Sequence, residues 1–273
     1  MNLFHYTDVN AVKSILENKK LWLTDVRFLN DSTEMKEGFD FLLSYLKHQV
    51  SRHPHSKELE AGMSYIEQVV YKRDGYGLDR RPVFVSSFSQ SGDLLSQWRA
   101  YGGYAIEFDS ELMGENLIQC VYDDDEKLHS TPALALGQLL VVGRSINNND
   151  GLLDHDAQEA LAGFIGLAAT LKHQSFSEEQ EHRIIMGHDI DPDVDDGYEV
   201  RFRARGDMLI PYLELGINLE CIKSINVGPM RDQELAFASM KAFVKKVCDN
   251  EFDSHQTYLG EIKVTTSSIP FRP

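Results

Sequence analysis

PVFVSSFS, residues 82–89, is the stretch on which the fold turns. Its β-branched and aromatic residues predict a strand, and YAIEF at residues 104–108 predicts another, the two joined by a segment carrying Trp and Arg. Working outward, Asn2–Thr7 reads as an opening strand, and residues 8–20 as a helix with Val12, Ile15 and Leu16 at helical spacing and Thr7 or Asp8 as N-cap. Leu21-Trp22-Leu23 reads as a second strand. Phe28-Leu29-Asn30-Asp31 reads as a turn into a helix through Glu34, and residues 36–75 as mainly helical, with Phe39, Leu42, Leu43 and Leu46 on one face. Between residues 130 and 172 the composition shifts to Ala and Leu, Pro132 suits a first helical turn, and residues 147–151 break one helix from the next; this reads as a helical insertion. From Phe176 the pattern returns to strand through Arg183-Ile184-Ile185-Met186, and an acidic loop at 189–197 leads to a strand at 198–203. Residues 222–227 predict a strand, 231–248 an amphipathic helix and 257–266 a closing strand. Strands interrupted and later resumed around helices, without repeats or low-complexity linkers, predict one α+β domain over residues 1–273.

With 42% hydrophobic residues, a chain of 273 residues can bury a substantial core. Its 27 Lys and Arg stand against 43 Asp and Glu, a formal charge of -16, which disfavours nonspecific nucleic-acid binding while leaving room for a local arginine cluster. Cys120, Cys221 and Cys248 are far apart and form no CxxC pair, so neither a disulfide framework nor a zinc site is expected, and a reducing cytoplasm fits them best. MNLFHYT lacks the basic and apolar regions of a signal peptide, and no window approaches the ~18 apolar residues that span a bilayer. No membrane partner is expected.

Three predicted strands place polar residues two apart, where the pleat puts both on one face: His5 with Thr7, Ser87 with Ser89, and Glu179 with Glu181. Tyr6 and Phe88 then point to the opposite face. The acidic run Asp189, Asp191, Asp193, Asp195, Asp196 fails as a calcium loop, because Asp196 stands where an EF-hand needs Gly and Phe202 where it needs Glu. No metal is expected. No Walker loop, GxGxxG, HExxH or GxSxG motif is present.

His5-Tyr6-Thr7, Asn30-Asp31 with Glu34, Ser87-Phe88-Ser89, Gln97-Trp98-Arg99 with Tyr101-Gly102, Phe176 with Glu179-Gln180-Glu181 and Arg183, and the final Ser268-Ile269-Pro270-Phe271-Arg272 recur in order. Together they resemble the bacterial domain of unknown function 2971 family. The order His-Tyr, Ser-x-Ser, Glu-x-Glu is in turn similar to the three NAD-binding motifs of the ADP-ribosyltransferase superfamily. That resemblance implies an α+β fold with a split sheet core and helical insertions, and NAD as substrate. It implies Glu181 as the carboxylate that stabilises the ribose cation formed when the nicotinamide bond breaks, and Glu179 as the group orienting the acceptor or acting as its base. Two close carboxylates repel, so one is expected to hold its proton longer than an isolated glutamate. His5, Tyr6 and Thr7 match the first NAD-binding strand, Ser87, Phe88 and Ser89 the second, with Tyr6 or Phe88 stacking on the pyridinium. Arg99, Arg27 and Arg183 are candidates for the pyrophosphate. The implied acceptor is an unspecified macromolecule, protein or nucleic acid, as for a toxin or antiphage effector.

Plainer roles compete with these. Trp98 and Tyr101 suit core packing, Arg183 suits an ion pair with Glu181, and Asn30, Asp31 and Glu34 suit helix caps. A catalytically idle nucleotide-binding or interaction domain and a nuclease or NAD glycohydrolase effector are the alternative functions.

Overall fold

The computed structural model describes residues 1–29, 32–71, 82–113, 117–188, 197–255 and 262–270. Asn30, Asp31, the acidic run at 189–196 and Phe271-Arg272 lie outside these residues, as does the side chain of Glu34. In chain order the elements are β1 (Asn2–Thr7), α1 (Val9–Asn18), β2 (Lys20–Asp25), α2 (Ser32–Arg52), α3 (Lys57–Tyr71), β3 (Val83–Ser89), α4 (Leu95–Tyr101), β4 (Tyr104–Asp109), α5 (Ser110–Met113), β5 (Leu117–Gln119) and α6 (Asp124–Ser130). They continue with α7 (Pro132–Asn148), α8 (His155–Ala168), β6 (Glu181–Gly187), β7 (Arg201–Arg205), β8 (Met208–Gly216), β9 (Ile222–Val227), α9 (Gln233–His255) and β10 (Lys263–Thr266).

The fold is α+β, built on a large open mixed sheet. Its strands run β10-β9-β4-β1-β3-β2-β8-β7, with β6 added to β3 and β5 to β6. Among the described strands, β9 and β10 pair in parallel and the other ladders are antiparallel. Strand β3 is the branch point. One of its edges pairs with β6 over its whole length, from Val83↔Gly187 to Ser89↔Glu181. The other edge is shared: β2 holds it at Phe84 and Val85, and β1 only at Ser89. Between these attachments β1 and β2 part, and a fork opens beside Ser86, Ser87 and Phe88.

Side-chain alternation along the strands feeds two separate cores. Leu3, Leu21, Leu23, Phe84, Phe88 and Ile106 face the buried stripe of α1 and Met240, Val244 and Val247 of α9. Val83 and Val85 face the other way, onto Phe39 and Leu42 of α2, Ile66 of α3, Leu139 of α7 and Phe164 of α8. Each such large side chain, fully buried, contributes about 1.5–3 kcal/mol. Helix α1 begins at Asp8, whose carboxylate accepts from the Ala11 amide at 2.9 Å, and ends at Lys19 in the left-handed conformation.

Residues 36–71 are mainly helical as expected, with α2 and α3 separated by residues 53–56, which include Pro54. Helices α7 and α8, in the stretch read as a helical insertion, share a core with α2 and α3. Several sequence expectations are corrected here. The stretch from Phe176 is not yet strand: Gln174–Glu179 is a 3-10 turn. The strand expected at 198–203 runs from Arg201 to Arg205, and the closing strand is four residues, Lys263–Thr266. Strands β5 and β8 were not predicted. No helix among the described residues is long and apolar enough to cross a membrane.

Candidate functional site

A cleft of about 570 Å³ occupies the fork. His5, Tyr6 and Thr7 enter it from β1, Trp22 and Thr24 from β2, Val85, Ser86 and Ser87 from β3, Arg183 from β6 and Arg203 from β7, with the start of α1 and Tyr101 closing its rim. By strand alternation His5 belongs to the face of Leu3 and Phe88, and its ring centroid lies 5.6 Å from that of Phe88. Ser87 and Tyr6 point to the opposite face. A continuous sheet would separate these groups; the gap between β1 and β2 lets both faces reach one space.

The imidazole of His5 bridges the fork, its Nδ1 standing 2.9 Å from the Ser87 carbonyl oxygen. A carbonyl only accepts, so Nδ1 carries the proton and donates, and Nε2 is left as an acceptor. Burial of the ring lowers its pKa below 6.5, the Ser87 hydrogen bond opposes this, and the charge of Arg203 adds to the lowering. His5 is therefore neutral at pH 7. Such a group accepts a hydrogen bond from a ribose hydroxyl or an amide.

Glu179 ends the 3-10 turn, and Gln180 has a positive φ of 42° before β6 starts at Glu181. The two carboxylates meet through a cation rather than along a strand. Lys172 Nζ lies 2.5 Å from Glu179 Oε2 and 2.6 Å from Glu181 Oε2. Arg183 grips Glu181 with Nε to Oε1 at 2.7 Å and Nη2 to Oε2 at 3.0 Å, and donates from Nη1 to the Ala169 carbonyl. Burial pushes the Glu181 pKa up, but Arg183 and Lys172 outweigh it and hold the pKa at about 2. The expected retention of a proton through carboxylate repulsion thus fails at Glu181, because Lys172 stands between the pair. Arg183 reaches the cleft wall, whereas Glu179 and Glu181 are absent from it.

The remaining predicted residues divide. Tyr6 donates from its hydroxyl to the Ser91 carbonyl at 2.8 Å and accepts from the Leu94 amide at 3.0 Å, and burial raises its pKa to about 12. Its ring packs edge-on against Trp98, which is buried and donates to Asp93. Thr7 lies in the cleft beside Gly102, whose φ of 133° and near contact with the Thr7 backbone leave no room for a Cβ. Ser89 donates to the Glu179 carbonyl at 2.6 Å and accepts from the Ser91 amide, so it ties β3 to the turn before β6. Phe88 is core, edge-on to Phe108 and off the cleft. Arg99 is exposed on α4 and does not line the cleft, and Arg27 pairs with buried Asp25 at 2.6 Å.

No protein family, curated protein or solved structure matches this chain. What the cleft can do is therefore read from its own atoms.

Sequence reasoning passed over Ser86, Trp22, Arg203 and Arg205, all of which line the cleft. The signal was present: RFRAR at 201–205 repeats arginine with period two in an acidic chain, which places all three on one face of a strand. Register confirms that face, since Arg203 opposes Ile210 beside Tyr212, and Tyr212 opposes Thr24 on β2. Among the described residues, no three His, Cys, Asp or Glu side chains gather as a metal ion would require.

Proposed function

We propose that this chain is an ADP-ribosyltransferase-like protein that takes NAD in the fork between β1, β2 and β3. The observation that carries the reading is the meeting in one cleft of His5 and Ser87, from the first two matching motifs, with Arg183, two residues past Glu181 of the third. Neutral His5 offers Nε2 to a ribose hydroxyl or the carboxamide, Trp22 and Tyr101 offer aromatic surface, and the arginines offer positive charge to the pyrophosphate.

A second reading, an idle nucleotide-binding domain, is favoured by the state of Glu181. Both of its oxygens are spent on Lys172 and Arg183, so the carboxylate offers little uncompensated negative charge to a ribose cation.

One experiment separates the two. NAD saturating the protein at 100 times its Kd should raise stability by about 2.7 kcal/mol under either reading. A transferase should also release nicotinamide and label a protein or nucleic acid in a lysate, with Glu181→Gln lowering turnover roughly 100-fold while NAD affinity holds. Binding without nicotinamide release would leave only the idle domain. Absence of any stabilisation at millimolar NAD would refute both.

A further inference from the structure

Arg203 differs from the other cations of the cleft. Arg183 is neutralised by Glu181, but among the described residues no salt bridge is formed by Arg203. Its guanidinium lies 5.4 Å from the Trp22 ring centroid, Nη2 donates to Thr24 Oγ1 at 2.9 Å, and Nε has no hydrogen-bond partner among the described residues. Arg205 stands on the same face of β7, lines the same cleft and repels Arg203 electrostatically. Asp8 attracts Arg203, but the Oδ1 of Asp8 already caps α1. A half-buried guanidinium with an idle N–H beside a like charge is costly unless an anion completes it.

The second sign comes from β3. Ser86 is 3% exposed, lines the cleft, and its hydroxyl has no partner among the described residues. Buried hydroxyls are ordinarily hydrogen-bonded, so an unpartnered one on a residue of the cleft wall is a group a ligand could satisfy.

The geometry points to Arg203, backed by Arg205, as the anchor for a phosphate-bearing ligand, with Ser86 offering its hydroxyl to the same molecule. This rests on the nucleotide reading of the cleft and moves its anion contact to β7, away from Arg99 and from the neutralised Arg183. Nucleoside diphosphates have the required chemistry: a phosphate for Arg203, hydroxyls for His5 Nε2 and Ser86, and a base for the aromatic rim.

The test is calorimetric titration of ADP, adenosine and NAD into the full chain and its Arg203→Gln and Ser86→Ala variants, at low and high salt. ADP should bind at least about tenfold more tightly than adenosine, and salt should weaken ADP alone. Arg203→Gln should abolish that preference with adenosine affinity unchanged, and Ser86→Ala should weaken ADP by roughly three- to tenfold. The preference and its salt dependence are read on the wild type, so they stand even if a variant fails to fold. Equal affinity for ADP and adenosine, or an Arg203→Gln protein that binds ADP like wild type, overturns the inference. Arg203-dependent ADP binding without NAD binding would retain the anchor and overturn NAD as the ligand. NAD binding indifferent to Arg203 would do the reverse.

Discussion

Replacing Glu181 with Gln should cost stability before it costs anything else. The residue is 6% exposed and holds two cations that are themselves buried, Lys172 at 1% and Arg183 at 3%. Gln has nearly the same shape but directs an amide at positive charges and removes the carboxylate that Lys172 and Arg183 share. Moving a carboxyl pKa from its ordinary 4.5 to about 2 corresponds to roughly 3 kcal/mol of stability. Removing one partner of a buried pair costs about 3–5 kcal/mol on other grounds, which agrees. In a chain of this size 3 kcal/mol lowers the melting temperature by about 6 °C. The pH dependence has a definite sign. The folded pKa is depressed, so the contribution is complete above the unfolded value near 4.5 and is lost as pH falls toward 2, because the unfolded chain then takes up a proton the folded chain refuses. Urea unfolding of wild type and Glu181→Gln at pH 7, 5 and 4 measures this directly: the gap should be full at pH 7 and begin to close below pH 4.5. Equal unfolding midpoints at pH 7 would show that Glu181 is not held by its two cations.

Two further outcomes follow from packing and hydrogen bonding. A Cβ at Gly143 would overlap the Glu58 carbonyl where α7 crosses α3, whereas one at Gly137 on the same helix meets nothing within 4 Å. Gly143→Ala should therefore lower stability by several kcal/mol, measured by thermal melting, against a gain of up to about 1 kcal/mol for Gly137→Ala. Asp93 accepts from Trp98 Nε1 at 2.8 Å, Ser267 Oγ at 2.5 Å and the Ser268 amide at 3.1 Å, which pins the end of the chain beside α4. Asp93→Ala should cost about 1–2 kcal/mol, discounted for its partial exposure, and should speed proteolytic trimming near residue 267; unchanged trimming would show that the clamp is idle.

Much of the secondary structure was legible because it depends on local period. Val12, Ile15 and Leu16 sit on the buried face of α1 as their spacing requires, and PVFVSSFS yields β3. The failures have separate physical causes. Strand β8 was hidden by Pro211, which supplies no N–H; in the fold it lies just past the end of the β2 ladder, where Tyr212 makes the last pair with Thr24. Strand β5 is only three residues long and draws its strand character from pairing with β6. The Glu179-Gln180-Glu181 stretch reads as alternation, yet the left-handed Gln180 breaks it, and the two carboxylates come together through Lys172, whose place depends on tertiary structure.

The candidate site shows where alternation stops being a guide. Period-two reasoning assigns each strand residue to one of two faces and assumes that the sheet between them is closed. Here β3 gives its free edge to β2 at one end and β1 at the other, so the sheet is open between them, and His5 and Ser87 join across the opening through Nδ1 and a carbonyl. Residues from both faces then line one cleft, while Phe88, between the two serines of the motif, stays buried in the core. Strand membership was readable from the chain, but the opening follows from which strands pair and where each ladder ends. That pairing also brings β7 into the site: β8 carries it beside β2, and Arg203 and Arg205 of RFRAR thereby supply positive charge in a chain whose net charge is -16.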